Sequence, residues 1–173
     1  MAQKAGVAKG TLYLYFPDKE SLFEQLLLSF AEPVLSRLSA IAADDGRPAN
    51  LVLDQVLNFI HGEVLGSDRA RILRLVISEG PRFPRIAEFY HRELICKGRE
   101  IIRSIAQRGV DRGELASSVL TRFPQLFFAP ILLAVIWEGL FSKIDPLDTR
   151  AMIAEYSKIM LSPKTDGEAG ANP

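Results

Sequence analysis

The sequence has 173 residues, of which 48% are hydrophobic, and its 21 basic and 21 acidic residues cancel. A chain of this size buries about 70% of its open-chain surface on folding, so it forms one good core, and the composition excludes intrinsic disorder. Zero net charge excludes a positive field over the whole chain, so any contact with nucleic acid or an anionic membrane depends on where individual basic residues lie. The single cysteine, Cys96, excludes an internal disulfide framework and a cysteine-rich zinc module.

The spacing of the apolar residues predicts an all-α fold. These residues recur at helical intervals, and no alternating stretch is bounded by hairpin turns. A short helix is predicted over residues 7–16. Asp18 is the predicted N-cap of a long helix that runs to about Ala42. Pro33 is expected to bend or break that helix, because proline lacks an amide hydrogen and its ring clashes with the preceding turn.

Five more helices are predicted, separated by segments rich in glycine, proline and aspartate. Pro84 is expected to open one of them and Asp145-Pro146 the last, while Pro124 and Pro130 are expected to bend the one between. Residues 163–173 offer nothing to bury and are expected to form a disordered tail. The predicted helical ranges are 50–65, 68–79, 84–109, 118–141 and 146–161.

The predicted helix at 118–141 is apolar on nearly all sides. Its longest apolar run, 126–137, is shorter than the roughly 20 residues of a membrane span, so we expect a buried helix and no membrane partner. One side can pack on the chain's own core, and the other needs a partner. We therefore expect a homodimer through helices 118–141 and 146–161; the alternative is a monomer with this helix at its centre. No secretory signal is visible, so a cytoplasmic location is expected.

The first 23 residues have the layout of a short helix between two turns. Gly6 suits the left-handed end of a helix, and Leu12 and Phe16, four residues apart, face inward on the helix that follows. This is the layout of a helix-turn-helix, whose second helix enters the major groove of DNA. From helix spacing alone, Tyr13 and Tyr15 can equally be ordinary surface aromatics.

The stretch AGVAKGTLYLYFPDKESLF, residues 5–23, resembles the helix-turn-helix signature of the TetR family of bacterial transcriptional regulators. The match runs unbroken from about Ala2 to Phe23. It implies a partial DNA-binding domain at 1–24 and a helical ligand-binding and dimerisation domain at 25–162. By the same resemblance, the residues that contact bases or phosphates are Lys9, Gly10, Thr11, Tyr13, Leu14, Tyr15 and Lys19.

Two departures from the family pattern are visible in this segment. Ala8 stands where the family has serine or threonine, which removes an N-cap hydroxyl worth about 1 kcal/mol of local helix stability. The family also places one helix and most of a second before the equivalent of Ala2, so the sequence resembles a family member that is truncated at its N-terminus. We expect this chain alone to bind DNA weakly or not at all, whereas the full-length parent would bind.

Candidate ligand-binding residues lie in the helical body, where sites are mostly apolar with a few polar groups. The alternative for the aromatic candidates is ordinary core packing. The arginines at 69, 71 and 74 are interpreted as a solvated helix face. The two histidines lack the spacing of metal ligands, so neither a metal nor a cofactor is expected. The ligand-binding candidates are His61, Phe89, Tyr90, Phe127 and Trp137.

The function that this reasoning favours is ligand-responsive regulation of transcription, which the resemblance implies is most often repression. A small apolar or amphipathic effector would favour a conformer that leaves double-stranded operator DNA. The alternatives are a purely structural helical dimer and a small-molecule binding protein that does not bind DNA. An enzyme is not expected, because no acid–base, nucleophile or metal constellation is present.

Overall fold

A computed structural model describes residues 18–65 and 67–162, except for the side chain of Lys19. These residues form helices and no strand, which confirms the predicted all-α class. The predicted short helix at 7–16 and the tail at 163–173 lie outside the described residues. The elements are α1 (Lys19–Ala42), α2 (Ala49–Val64), α3 (Asp68–Glu79), α4 (Pro84–Tyr90), a π-helical segment (His91–Cys96), α5 (Lys97–Asp111), α6 (Val119–Arg122), α7 (Gln125–Leu140) and α8 (Thr149–Met160).

The long helix α1 begins and ends where the sequence predicts. The Asp18 carboxylate accepts a hydrogen bond from the Ser21 amide at 2.7 Å, so Asp18 is the N-cap. Pro33 does not break the helix, which continues to Ala42. The carbonyl that loses its amide partner belongs to Ser29, an exposed residue, so water can satisfy it.

Helix α2 lies at the centre of the bundle and packs against α1, α5, α7 and α8. Its apolar residues recur three and four apart and form one stripe. Phe127 from α7 and Ile102 from α5 complete the core on two sides. The side chains of the stripe with no exposed surface are Val52, Leu53, Val56 and Leu57.

The predicted helix at 84–109 contains a π-helical segment that the periodicity did not reveal. In a regular α-helix each residue advances by about 100°, so Gly109, nineteen positions after Tyr90, would face about 100° away from it. A π turn takes one extra residue and removes that offset. As a result, Tyr90 and Leu94 point in the same direction as the buried Ile102 and Gly109, toward the rest of the bundle.

The predicted helix at 118–141 is two helices, because Pro124 breaks it instead of bending it. Phe123, the residue before the proline, takes φ −130° and ψ 66°, outside the helical region. Helix α6 therefore ends at Arg122, and α7 starts at Gln125. Pro130 lies inside α7 and is buried. No helix in the described parts of the chain is both long and apolar enough to span a bilayer.

The last helix starts later than predicted, at Thr149 instead of Pro146. Asp148 is the N-cap, and its carboxylate accepts from the Ala151 amide at 2.9 Å. The preceding residues form a turn that is fastened to α7, because the Trp137 indole N–H donates to the Asp145 carbonyl at 2.8 Å. The predicted start was wrong because Asp145 and Asp148 can each cap a helix. The hydrogen bond from Trp137 holds Asp145 in the turn, so Asp148 is the N-cap.

Candidate functional site

An apolar cavity of about 60 Å³ lies between α1, α3 and the junction of α4 with the π-helical segment. One side of α1 forms a wall of this cavity. The α1 residues there are spaced three and four apart, so they lie on the same face of the helix. The opposite wall comes from α3 with Ile72 and Leu73, and Leu94 closes the side. The α1 residues that line the cavity are Leu27, Phe30, Ala31 and Val34.

Arg69 brings one charged group to this apolar cavity. It stands in the first turn of α3, after the N-cap Ser67, and 26% of its side chain is exposed. Its guanidinium lies 2.8 Å from the Glu63 carboxylate and 5.7 Å from the centre of the Phe30 ring. Its Nε–H is buried and has no hydrogen-bond partner. The Nε–H groups of Arg99 and Arg108 are also buried without a partner, so this feature does not single out Arg69.

Tyr90 brings a second polar group, at the end of α4. Burial raises the pKa of its hydroxyl to about 12, so the group stays protonated and able to donate near neutral pH. The cavity thus combines apolar walls with two residues, Arg69 and Tyr90, that carry polar groups.

A second set of exposed apolar side chains lies on α7, on α8 and in the segments on either side of α7. Ile144, in the turn after α7, is 82% exposed, and Ile159 of α8 is 76% exposed. Large apolar side chains at such exposure are unfavourable in water unless another surface covers them. Other exposed members of this face are Phe123, Leu126, Leu132, Leu133, Leu140 and Phe141.

Family models match both ends of the chain. A model described as "Tetracyclin repressor-like, C-terminal domain" matches residues 52–155, and one described as "Bacterial regulatory proteins, tetR family" matches residues 1–26. The first match alone covers more than half of the chain. The chain belongs to the TetR family. The resemblance of the N-terminal segment to this family is thereby confirmed.

Relatives of this TetR-family chain include the nucleoid occlusion factor SlmA of two Haemophilus influenzae strains, 27% identical over 95 residues. That match covers 53% of this chain and 44% of SlmA, so it spans less than half of the relative. A provisionally assigned fatty acid metabolism regulator from Clostridium perfringens has a TM-score of 0.76 at 21% identity over 95% of this chain and 86% of that one. FadR from Bacillus subtilis, solved with stearoyl-CoA, has a TM-score of 0.71 with the same identity and coverage. At this identity the likeness shows the fold.

The structure places one of the five predicted ligand-binding residues, Tyr90, in the wall of the cavity. His61 lies elsewhere, between α2 and α8, with its ring Nε2 3.1 Å from the Thr149 hydroxyl. Phe127 is buried in the core around α2, and Trp137 holds the turn after α7. The Phe89 ring lies under the Arg92 guanidinium, 5.2 Å from it. These four side chains and the cavity are therefore not one site.

The cavity residues from α1 and α3 were not singled out from the sequence. The apolar stripe of α1 is visible in the sequence, but it does not reveal which part of the stripe is left incompletely covered. The interpretation of the three arginines as a solvated face holds for Arg71, whose side chain is 76% exposed. It is wrong for Arg69, which lines the cavity, and for Arg74, whose guanidinium donates to the Val135 carbonyl at 3.3 Å.

The predicted DNA-contacting residues lie almost entirely outside the described residues. This applies to six of them, whereas Lys19 is the first residue of α1 and its side chain is not described. The start of α1 is fastened to α4 by the Arg85 guanidinium, which lies 3.0 Å from the Glu20 carboxylate and 3.9 Å from that of Glu24. The six outside are Lys9, Gly10, Thr11, Tyr13, Leu14 and Tyr15.

Proposed function

We propose that this chain is a cytoplasmic, ligand-responsive regulator that binds double-stranded operator DNA and acts as a repressor. The observation that carries this proposal is the position of the cavity. Four of its lining residues belong to α1, and the first eight residues of α1 lie within the segment, 1–26, that the DNA-binding family model matches. An effector in the cavity therefore contacts the helix that joins the two functions.

The mechanism that we propose is a shift between two positions of α1. A cavity of about 60 Å³ holds only a few heavy atoms, so a larger effector displaces side chains of α1 and α3. The conformer with displaced α1 binds the effector better and presents the DNA-binding segments at the wrong spacing. DNA affinity then falls by the ratio of the effector's affinities for the two conformers.

The effector that we propose is small and apolar or amphipathic, in keeping with the walls of the cavity. The same fold in FadR from Bacillus subtilis accommodates stearoyl-CoA, an amphipathic molecule. The relatives are named as a nucleoid occlusion factor and a transcriptional regulator, and no catalytic role is proposed for this chain.

We also propose a homodimer through α6, α7 and α8. The exposed apolar face of these helices supports this, because a two-fold axis would bring α7 and α8 of both chains together as a four-helix interface. Replacing Leu133 by glutamate, in the middle of this face, is expected to give monomers in analytical ultracentrifugation. Leu51→Glu, at a residue of α2 that is equally exposed but off this face, is the control and should leave the mass unchanged.

The DNA-binding function is tested with the protein and duplexes that it selects from its source genome. Lys9→Ala and Tyr15→Phe should each weaken binding roughly tenfold and reduce the salt dependence of the affinity, since each removes a contact to the DNA backbone or bases. Lys143→Ala, an exposed lysine in the turn after α7, serves as the control. Affinity that neither variant changes, or failure to select any duplex, would contradict the proposal.

A further inference from the structure

We infer that Arg85 is a positioning residue for DNA binding, because its guanidinium holds the first turns of α1 against α4. The inference rests on the proposed function, since it concerns how the DNA-binding segment is joined to the helical body. The first eight residues of α1 lie within the segment, 1–26, that the DNA-binding family model matches. A contact that fixes the first turns of α1 therefore also fixes the end of that segment.

Arg85 joins two helices through two carboxylates of α1. Its guanidinium lies 3.0 Å from the Glu20 carboxylate and 3.9 Å from that of Glu24. The two glutamates are four residues apart, so they lie on the same face of α1, and Arg85 reaches both from α4. Their side chains are 23% and 24% exposed, so solvent screens them less than it screens carboxylates on an open surface. Arg85 itself is 63% exposed, which limits the expected effect to a few-fold change.

Arg85 also reduces repulsion between acidic groups at the start of α1. Like charges four residues apart destabilise a helix. Among the side chains that the structure describes, Arg85 is the one cation within 4.0 Å of either glutamate carboxylate. Asp18 adds a third carboxylate, whose pKa is held below its ordinary value mainly by the hydrogen bond from the Ser21 amide and in part by Arg85. Without Arg85, the first turns of α1 would therefore be held less firmly.

The position of Arg85 is unfavourable for α4 itself. It is the second residue of that helix, after Pro84, and a cation in the first turn interacts unfavourably with the helix dipole. A residue that departs from a local preference is expected where another contact compensates for it, and here the α1 carboxylates do so. The other end of α4 is Tyr90, which lines the cavity together with Leu27 of α1. Helix α4 thus meets α1 at two places, and Arg85 forms the contact next to the DNA-binding segment.

Hydrogen exchange of the full 173-residue chain tests this contact without DNA. Arg85→Gln removes the charge and keeps most of the side-chain length. The backbone amides at 22–26 should then exchange about fivefold faster, whereas those of α2 at 52–57 should be unchanged. Arg92→Gln is the matched control and should change neither set. Arg92 is equally exposed, at 64%, but pairs with the adjacent Glu93 instead of α1.

Three further measurements separate a charge effect from a loss of packing. Arg85→Lys keeps the charge, so its exchange should stay within about twofold of the parent. Raising the salt concentration from about 0.05 M to 1 M should shrink the difference between Arg85→Gln and the parent, because salt screens exposed charges. In a background that carries Glu20→Gln and Glu24→Gln, Arg85→Gln should cause no further change, since the carboxylates on which it acts are gone.

The affinity for a duplex that the protein selects tests the consequence for DNA binding. Arg85→Gln should weaken binding about fivefold, whereas Arg92→Gln, which removes the same charge, should not. In the background that lacks the Glu20 and Glu24 carboxylates, Arg85→Gln should not weaken binding further. A loss that persists in that background would mean that Arg85 contacts DNA itself, and it would overturn the inference.

Unchanged exchange at 22–26 in Arg85→Gln, or an equal change in Arg92→Gln, would also overturn the inference. If the parent binds a duplex and Arg85→Gln leaves its affinity unaltered, the inference is wrong and the regulator function stands. If the parent selects no duplex, the proposed function is wrong, and the role of Arg85 in DNA binding is overturned with it.

Discussion

The core around α2 and the cavity beside α1 are two apolar regions built from the same residue types. In the core, Leu53 and Leu57 are completely enclosed by neighbouring helices. At the cavity, Phe30 and Leu73 line space of about 60 Å³ that no side chain fills. Filling a space completely stabilises the fold, whereas leaving it incomplete keeps a position for something else. The same hydrophobic pattern in sequence therefore serves stability in one place and recognition in the other.

The largest expected effect is a loss of packing in the core. Leu53→Ala should lower the free energy of unfolding by about 2–5 kcal/mol, since the surrounding helices cannot close the void. Leu73→Ala, the same change at the wall of the cavity, should lower it by clearly less, because that side chain already borders empty space. Urea denaturation of both variants measures the contrast, and equal losses would show that the two regions are packed alike.

The next effect concerns a close approach of helices in the core. A Cβ added at Gly109 of α5 would lie 2.6 Å from the Ala49 Cβ and 2.9 Å from Leu115 side-chain atoms, so neighbours must move. Gly109→Ala should therefore destabilise the fold by about 1–3 kcal/mol. At Gly62 of α2 a Cβ meets nothing within 4 Å, so Gly62→Ala should instead stabilise it by about 0.5–1 kcal/mol. Thermal melts of the pair give opposite signs if this description of the packing is right.

A smaller effect on stability is expected from filling the cavity. Ala31→Val adds two methyl groups where the space already exists, so the free energy of unfolding should change by less than about 1 kcal/mol. Urea denaturation measures this change, and a loss above about 2 kcal/mol would show that the space cannot hold the added methyl groups.

The smallest effect is a pH dependence at His61, which lies between α2 and α8. Burial, together with the nearby Arg150, holds the pKa of this imidazole below its ordinary value. The folded state thus disfavours the protonated ring, and stability that is present at neutral pH is lost as the pH falls through the ordinary value near 6.5. His61→Gln should lose this contribution. Melting temperatures of both proteins from about pH 8 to 5.5 should diverge slightly on the acidic side.

Local signals in the sequence predicted part of this fold well. Asp18 caps α1 as expected, and Pro84 opens α4, because capping and proline geometry depend on a few adjacent residues. Pro124 and Pro130 lie in the same predicted helix but have different effects. Pro124 divides that helix into α6 and α7, whereas Pro130 is buried inside α7. That difference depends on which residues the surrounding helices enclose, which local patterns do not contain.

The cavity illustrates the same limit for the site. Tyr90 was chosen for its type, an aromatic ring with a polar end, and it does line the cavity. Arg69 was interpreted as solvated, because a charge on a polar helix face usually is. Whether that face meets solvent or the end of α2 is decided by packing between helices distant in sequence. Type and spacing thus identified one polar group of the site and missed the other.

The π-helical segment has a consequence for how this protein tolerates insertions and deletions. Removing a single residue between His91 and Cys96 would restore regular winding and turn α4 by about 100° relative to α5. Tyr90 would then swing out of the cavity, while Ile102 and Ile105 kept their places beside α2. Deletion of one codon here would thus move Tyr90 away from the cavity and leave the core around α2 unchanged.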